Sequence, residues 1–274
     1  MVLKLIEQFK KELNVLNKSG VVLGVSGGID SAVTLKLLER CLEPSQILPV
    51  IMPEQDSNKE NIKRAKQICA RYPYRIISIT PILRKLGVYR SMKNYPFIPY
   101  SFKKRYCRNR LQQLGNQVYL HYVKGDLPNE FISYIHIKNR IRATILFYEA
   151  EKRNFAVVGT INRTEYLLGF FVPFGDGLAD IMPLLNLYKT DIFKLARELD
   201  VPGDIIKSPP SPDLIPGLND EMLLGMKYAE VDQILKDIEA QRLDLKNKKF
   251  KYIYEIHKQA EKTRLRIKPD RFGD

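Results

Sequence analysis

Apolar residues recur at three- and four-residue steps near the start of the chain. Leu3, Ile6, Phe9, Leu13 and Leu16 predict an amphipathic helix over residues 3–17. A short apolar run, Val21 to Val25, follows and stops at Ser26-Gly27-Gly28, after which helical spacing resumes from Ser31 to Leu42. The predicted order is strand, glycine turn, helix.

The rhythm repeats. Ile47 to Met52 predicts a strand, Asn58 to Arg71 a helix, and Arg75 to Ile79 another strand. Farther along, Ile137 to Lys152 predicts a helix, Phe155 to Gly159 a strand, and Asn162 to Gly169 a short helix. Helices are also expected at about 220–240 and 246–264. Strands alternating with helices predict a parallel sheet covered on both faces, an α/β doubly wound fold with C-terminal helices. Right-handed crossovers would gather the loops that follow the strands at one sheet edge, where ligands bind.

Two segments interrupt the alternation. Residues 84–134 are rich in Tyr, Lys and Arg and lack a clean period, so they are expected to form a basic insertion or lid on a single domain spanning 1–274. Residues 208–220 contain four prolines, which bar a regular helix or an inner strand and predict a loop.

At 274 residues and 45% hydrophobic content, the chain can bury one sizeable core. No apolar run approaches the ~18 residues of a membrane span. Charges interrupt the apolar positions of the N-terminal helix, unlike a secretory signal, so a cytoplasmic protein is expected. Cys41, Cys69 and Cys107 are scattered and odd in number, against a disulfide framework, and no C-x-x-C pair suggests zinc or redox chemistry. The formal net charge of +14 favours polyanionic partners without choosing among nucleic acid, acidic surfaces and phosphate-rich small molecules.

The stretch Gly24-Val25-Ser26-Gly27-Gly28-Ile29-Asp30-Ser31 narrows that choice. Gly27 and Gly28 allow positive φ and let the backbone approach an anion, while the following helix aims free N–H groups at it. Ser26 and Ser31 add hydroxyls. The G-x-x-x-x-G-K-[ST] loop of kinases and GTPases is absent. Asp30 would repel a pyrophosphate unless a cation lay between them, and magnesium takes carboxylates together with phosphate oxygens. Asp30 could otherwise simply cap the helix.

SGGIDS after a strand resembles the pyrophosphatase loop of the N-type ATP pyrophosphatases. Later segments resemble the NAD synthetases among them, in the right order: Val158-Gly159-Thr160-Ile161-Asn162-Arg163-Thr164-Glu165, Gly175-Asp176-Gly177-Leu178-Ala179-Asp180, Leu187-Tyr188-Lys189-Thr190, and Pro209-Pro210-Ser211-Pro212-Asp213-Leu214 with Asn219-Asp220-Glu221. The resemblance covers roughly residues 1–80 and 137–265. It implies a Rossmann-like adenine nucleotide α-hydrolase fold and amidation of deamido-NAD with ATP and ammonia through an acyl adenylate, releasing AMP and pyrophosphate. By position it implies ATP contacts from Gly24, Ser26, Gly27, Gly28, Asp30, Ser31, Thr160, Lys189 and Ser211, the last where the family usually has Thr. Asp30 and Glu165 would hold Mg2+, and Asp30 and Lys189 would carry the catalysis. Arg140, Asp180, His257 and Lys258 would bind deamido-NAD, and the family pattern is a homodimer.

Each residue also has a plainer reading: Lys189 as a solvated lysine at a helix start, Glu165 paired with Arg163, and Arg140 paired along its own helix. None of the histidines His121, His136 and His257 sits in a nucleophile constellation, and an acyl adenylate needs little base assistance. No glutaminase arrangement is visible, so free ammonia or a separate glutaminase is expected as donor. Pro173 stands where the family usually has a lysine expected to touch deamido-NAD, Leu218 where it commonly has Gln, and residues 84–134 look longer and more basic than the usual connection. These departures leave open a ligase that amidates a related carboxylate. The charge and the Tyr/Arg-rich segment leave open a tRNA-modifying ATP pyrophosphatase.

Overall fold

The computed structural model describes residues 1–89, 118–210 and 219–267. Its elements are α1 (Val2–Val15), β1 (Gly20–Gly24), α2 (Ile29–Glu39), β2 (Ile47–Ile51), α3 (Lys59–Cys69), β3 (Arg75–Ile76) and α4 (Thr80–Lys85). After the undescribed stretch come α5 (Val118–Lys124), α6 (Asn129–Glu151), β4 (Phe155–Val158), α7 (Arg163–Leu168), α8 (Lys189–Glu198) and α9 (Gly203–Ile206). The described chain ends with α10 (Asp220–Leu224), α11 (Tyr228–Glu239), α12 (Lys248–Gln259) and α13 (Glu261–Leu265).

The four strands form one parallel sheet in the order β3-β2-β1-β4. Along β1 the side chains alternate between the two faces. Val21 and Leu23 join Phe9 of α1, Val33 and Leu37 of α2, Ile68 of α3 and Ile192 of α8 in one core. Val22 faces the other way, with Val50 and Val157, against Leu83 of α4 and Tyr134 and Ile141 of α6. Helices therefore cover both faces, which makes the sheet doubly wound. Helices α5, α7, α11 and α12 build a third core from Tyr119, Leu168, Val231, Leu235 and Ile253.

Pro49 sits within β2, although proline removes a ladder donor. The β2–β3 ladder includes only Val50 and Ile51, so Pro49 lies beyond the reach of β3. After β4, Ile181 makes a parallel bridge to Val158 and brings the chain back to the sheet's outer edge.

The predicted elements return with shifted ends. β3 is two residues long rather than five, and the expected helices near 220–240 and 246–264 are broken. Gly225 adopts a left-handed conformation that ends α10, and Ala260 separates α12 from α13. The larger difference lies in residues 84–134. The described part of that segment is mostly helical, with α6 starting at Asn129 rather than at Ile137. Farther along α6, charged residues are buried in ion pairs: Lys138 pairs with Glu54 at 2.6 Å, and Glu149 pairs with Arg75 and with Arg153. Residues 90–117, which hold most of the expected lid, lie outside the described residues, as does 211–218 with Ser211 and Leu218. Among the described residues, no helix is long and apolar enough to cross a membrane.

Candidate active site

The carboxyl ends of β1 and β4 lie side by side, so the turns that follow them face one another. After β1, Gly27 adopts φ +84°, and a Cβ there would lie 2.1 Å from the carbonyl oxygen of Asn61 on α3. Only glycine fits against that helix. Two serines brace the turn. Ser31 Oγ accepts from Ser26 N–H at 3.3 Å and donates to Gly28 O at 3.0 Å, while Ser26 Oγ accepts from Gly28 N–H at 3.2 Å. Gly28 is the N-cap residue of α2 and offers no side-chain cap, and the helix's own ladder begins with Ala32 N–H to Gly28 O. The first-turn N–H groups and the positive end of α2 therefore point out of the sheet edge, as an anion site requires. Gly24 closes β1, packed near Leu146 and Met52.

Asp30 does not cap α2. Its Oδ1 accepts from Asn162 Nδ2 at 2.9 Å and its Oδ2 from Lys189 Nζ at 2.5 Å, partners 132 and 159 residues away. Asn162 caps α7, accepting from Glu165 N–H at 3.0 Å, and Glu165 returns the bond to Asn162 N–H at 3.3 Å. That capping box turns the other carboxylate oxygen of Glu165 toward Lys189 Nζ, at 3.3 Å. Arg163 pairs with Glu239 instead of Glu165. Lys189 opens α8 with its side chain 1% exposed, not solvated.

Beneath this trio lies a third carboxylate, Asp220 at the start of α10, 3% exposed. Its Oδ2 accepts from Tyr228 O–H at 2.7 Å, and its buried Oδ1 has no partner. Burial disfavours the ammonium of Lys189, yet Asp30, Glu165 and Asp220 together hold its pKa above the ordinary value. Burial raises Glu165, opposed by Lys189 and reinforced by Asp30 and Asp220. Burial likewise lifts Asp220 to about 6, with Lys189 opposing. Among the described residues, one ammonium faces three carboxyl groups, so ionising all three would leave surplus negative charge.

That surplus has a measurable consequence. Folded Asp220 titrates near 6 rather than at the usual 3.8, so the folded chain holds this proton more tightly than the unfolded one. The stability it contributes is complete below about 4 and is lost as pH rises through 6, a difference of at most about 3 kcal/mol. Asp220→Asn is therefore expected to melt several degrees above wild type at pH 8, with the gap narrowing toward pH 5. A variant that melts below wild type at pH 8 contradicts this balance.

The remaining residues singled out in the sequence sit around this cluster rather than in it. Thr160 lies half-buried in the turn after β4. Arg140 donates from Nε to Pro173 O at 3.3 Å, at the turn leading to Asp180. Asp180 is exposed, and its Oδ2 accepts from Val157 N–H at 2.7 Å on β4. His257 Nδ1 lies 3.2 Å from Leu167 O, and Lys258 is exposed with Nζ over the ring of Tyr254. Among the described residues, no hydrogen bond joins Arg140, Asp180, His257 or Lys258 to the Asp30 cluster.

Four contributors were given no role from the sequence: Asn162 and Asp220, which lie within the family-like stretches, and Tyr228 and Asp232. The spacing Asn162-x-x-Glu165 is itself a capping-box signal. The other three reach the site only through tertiary packing.

The NAD synthase family pattern matches residues 1–118 and 116–268. The NH(3)-dependent NAD(+) synthetase of Thermotoga maritima is 46% identical over 271 residues, covering 96% of each chain. That of Thermoplasma acidophilum is 34% identical, covering 91% of this chain and 90% of its own. Among solved structures, an NMN synthetase from Francisella tularensis superposes with a TM-score of 0.74 at 26% identity, covering 96% of this chain and 94% of its own. An NH3-dependent NAD synthetase from Campylobacter jejuni, in complex with the nitrate ion, gives 0.65 at 26% identity and covers 97% and 94%. Joined by this likeness along nearly its whole length, the chain belongs to the NAD synthase family.

Proposed function

We propose that the chain is an ammonia-dependent NAD synthetase that amidates deamido-NAD at the expense of ATP. The observation that carries the reading is the meeting of Asp30, Glu165 and Lys189 beside the Gly27-Gly28 turn. The triphosphate would lie over the turn, held by the N–H groups at the start of α2 with Ser26, Ser31, Gly24 and Thr160 around it. Ser211 is placed there by resemblance alone.

The fit to magnesium rests on charge. Asp30 and Glu165 present two carboxylates, Asp220 leaves an oxygen unpartnered, and one lysine does not balance them. Among the described residues, no three acidic, histidine or cysteine side chains are set to hold an ion by themselves, which suits an ion that completes its shell with phosphate oxygens. When bound there, magnesium would neutralise charge on those oxygens.

Lys189 would exchange its bond to Asp30 for one to the phosphates. A nicotinate carboxylate oxygen then attacks the α-phosphorus as the bond to pyrophosphate breaks, giving the acyl adenylate. Ammonia attacks the acyl carbon, AMP leaves with the bonding electrons, and the extra proton passes to solvent. Positioning and charge neutralisation dominate such transfers, so the lack of a histidine base is no obstacle. Arg140, from α6, and Asp180, from the 173–180 turn that Arg140 braces, would bind the acid. His257 and Lys258 would bind it from α12, within a homodimer in the cytoplasm, with ammonia taken free or from a separate glutaminase.

A second reading follows from Pro173, which has neither charge nor N–H where an acid-binding lysine is expected, and from the neighbour named an NMN synthetase. In this reading the acid is the nicotinate mononucleotide, lacking the adenylate half. The purified chain, given ATP, magnesium and ammonium, separates the two. NAD and AMP formed from deamido-NAD at a kcat/KM at least tenfold above that for the mononucleotide supports the first reading. The reverse ratio supports the second, and AMP release with neither acid overturns both.

A further inference from the structure

Helix α8 has no cap of its own. Tyr188, at its N-cap position, offers no side-chain hydrogen bond, yet the first two N–H groups of the helix are both satisfied. Lys189 N–H donates to Thr164 Oγ1 at 2.9 Å, and Thr190 N–H donates to Asp232 Oδ2 at 2.8 Å. Thr164 O–H donates in turn to Asp232 Oδ1 at 2.6 Å. Asp232 lies on α11, 1% exposed, and so caps a helix to which it does not belong. The residues it ties down are the chain neighbours of the two cluster residues: Thr164 precedes Glu165, and Thr190 follows Lys189.

We propose that Asp232 is a positioning residue for the adenylation step, holding Lys189 in register with Asp30 and Glu165 through the hydroxyl of Thr164. The inference rests on the activity proposed above, in which Lys189 neutralises phosphate oxygens. Hydrogen-bond polarity sets the requirement for a carboxylate at this position. A carboxylate only accepts, so it fixes the Thr164 hydroxyl as a donor toward α11 and leaves its lone pairs for Lys189 N–H. An asparagine of the same shape can still accept from Thr190 through Oδ1, but its amide then presents a donor to Thr164. The hydroxyl must turn, its proton loses its acceptor, and the contact that locates the first turn of α8 loosens. A displacement of about 1 Å in a charge-placing group is enough to cost about a hundredfold in rate. The anion also accepts an N–H at the positive end of α8, where a negative charge is favoured. Burial raises the Asp232 carboxyl, and the bonds from Thr164 and Thr190 oppose that rise.

The test is steady-state kinetics on wild type, Asp232→Asn, Thr164→Val and Thr164→Ser, with ATP varied at saturating acid and ammonium. Asp232→Asn and Thr164→Val are expected to lower kcat at least tenfold while the KM for ATP stays within twofold, because the lost placement matters most as charge moves in the transition state. Thr164→Ser, which keeps the hydroxyl, is expected to retain kcat within twofold of wild type. Wild-type kcat in the first two variants, a change confined to KM or melting temperature, or equal loss in Thr164→Ser and Thr164→Val overturns the proposal. Thr164→Val leaves Asp232 on Thr190, so the Val/Ser pair decides the matter if Asp232→Asn does not fold. A wild-type chain that amidates neither acid overturns the parent reading instead, so the two failures are distinct.

Discussion

Lys189→Met is expected to lower kcat for ammonium-dependent amide formation by about 10²- to 10³-fold at saturating ATP, the scale seen when one preorganised charge donor is removed. Methionine keeps the stem's volume and removes the ammonium that lies 2.5 Å from Asp30 and 3.3 Å from Glu165. The same change strips the one cation paired with this cluster among the described residues, so the ligand-free variant should also be less stable. The sign of the pH dependence follows. Carboxylates without Lys189 hold their protons to higher pH than in the unfolded chain, and their protonated forms are tolerated in the interior. The deficit should therefore be largest near pH 8 and shrink toward pH 5. Circular dichroism melts at the two pH values, beside kinetics on the folded enzyme, separate the lost chemistry from the lost fold. A variant within threefold of wild-type kcat would remove Lys189 from the mechanism.

The second large effect is expected at the turn. Gly27→Ala would place a methyl group 2.1 Å from Asn61 O and 2.9 Å from Asn61 C, both backbone atoms of α3, on a residue at φ +84°. Neither obstacle is a side chain that can swing away, so the turn or the helix must shift. We expect about 2–4 kcal/mol of lost stability and loss of ATP binding together. Gly28→Ala provides the contrast. Its φ of −86° suits any residue, and the added Cβ would only approach Ser26 Oγ, at 3.3 Å. It should melt within a few degrees of wild type. Equal destabilisation by the two changes would mean that the close approach to α3 is not what fixes the turn.

Much of this was legible in the chain. The apolar run ending in two glycines located β1, the turn and α2, because a buried parallel strand and a close backbone approach each leave a local mark. The placement of Glu165 and Lys189 came from resemblance, and the geometry explains it: both open helices at the edge where β1 and β4 end. What escaped were contacts with no local signature. Tyr228 and Asp232 look like ordinary residues of an amphipathic C-terminal helix, and only packing turns them toward the site; Asp220 lies in the family-like stretch Asn219-Asp220-Glu221, which says nothing of where its side chain goes. Within the predicted span of α6, polarity and burial part company. Lys138 and Glu149 are charged yet buried, paired with Glu54 and with Arg75 and Arg153, so residue type alone does not mark the outer face of that helix. Pro49 shows the reverse case, a residue that argues against an inner strand yet stands just past the end of the neighbouring ladder.

Adenylation at this site depends on where a nucleotide's phosphates sit and what Lys189 does when they arrive. A crystal structure of the chain with a non-hydrolysable ATP analogue and magnesium addresses both at once. The expected result is phosphate oxygens within hydrogen-bond distance of the N–H groups at the start of α2, Lys189 Nζ moved from Asp30 onto a phosphate, and the ion between Asp30 and Glu165. A nucleotide bound elsewhere, with the Lys189–Asp30 pair intact beside an unchanged glycine turn, would contradict it.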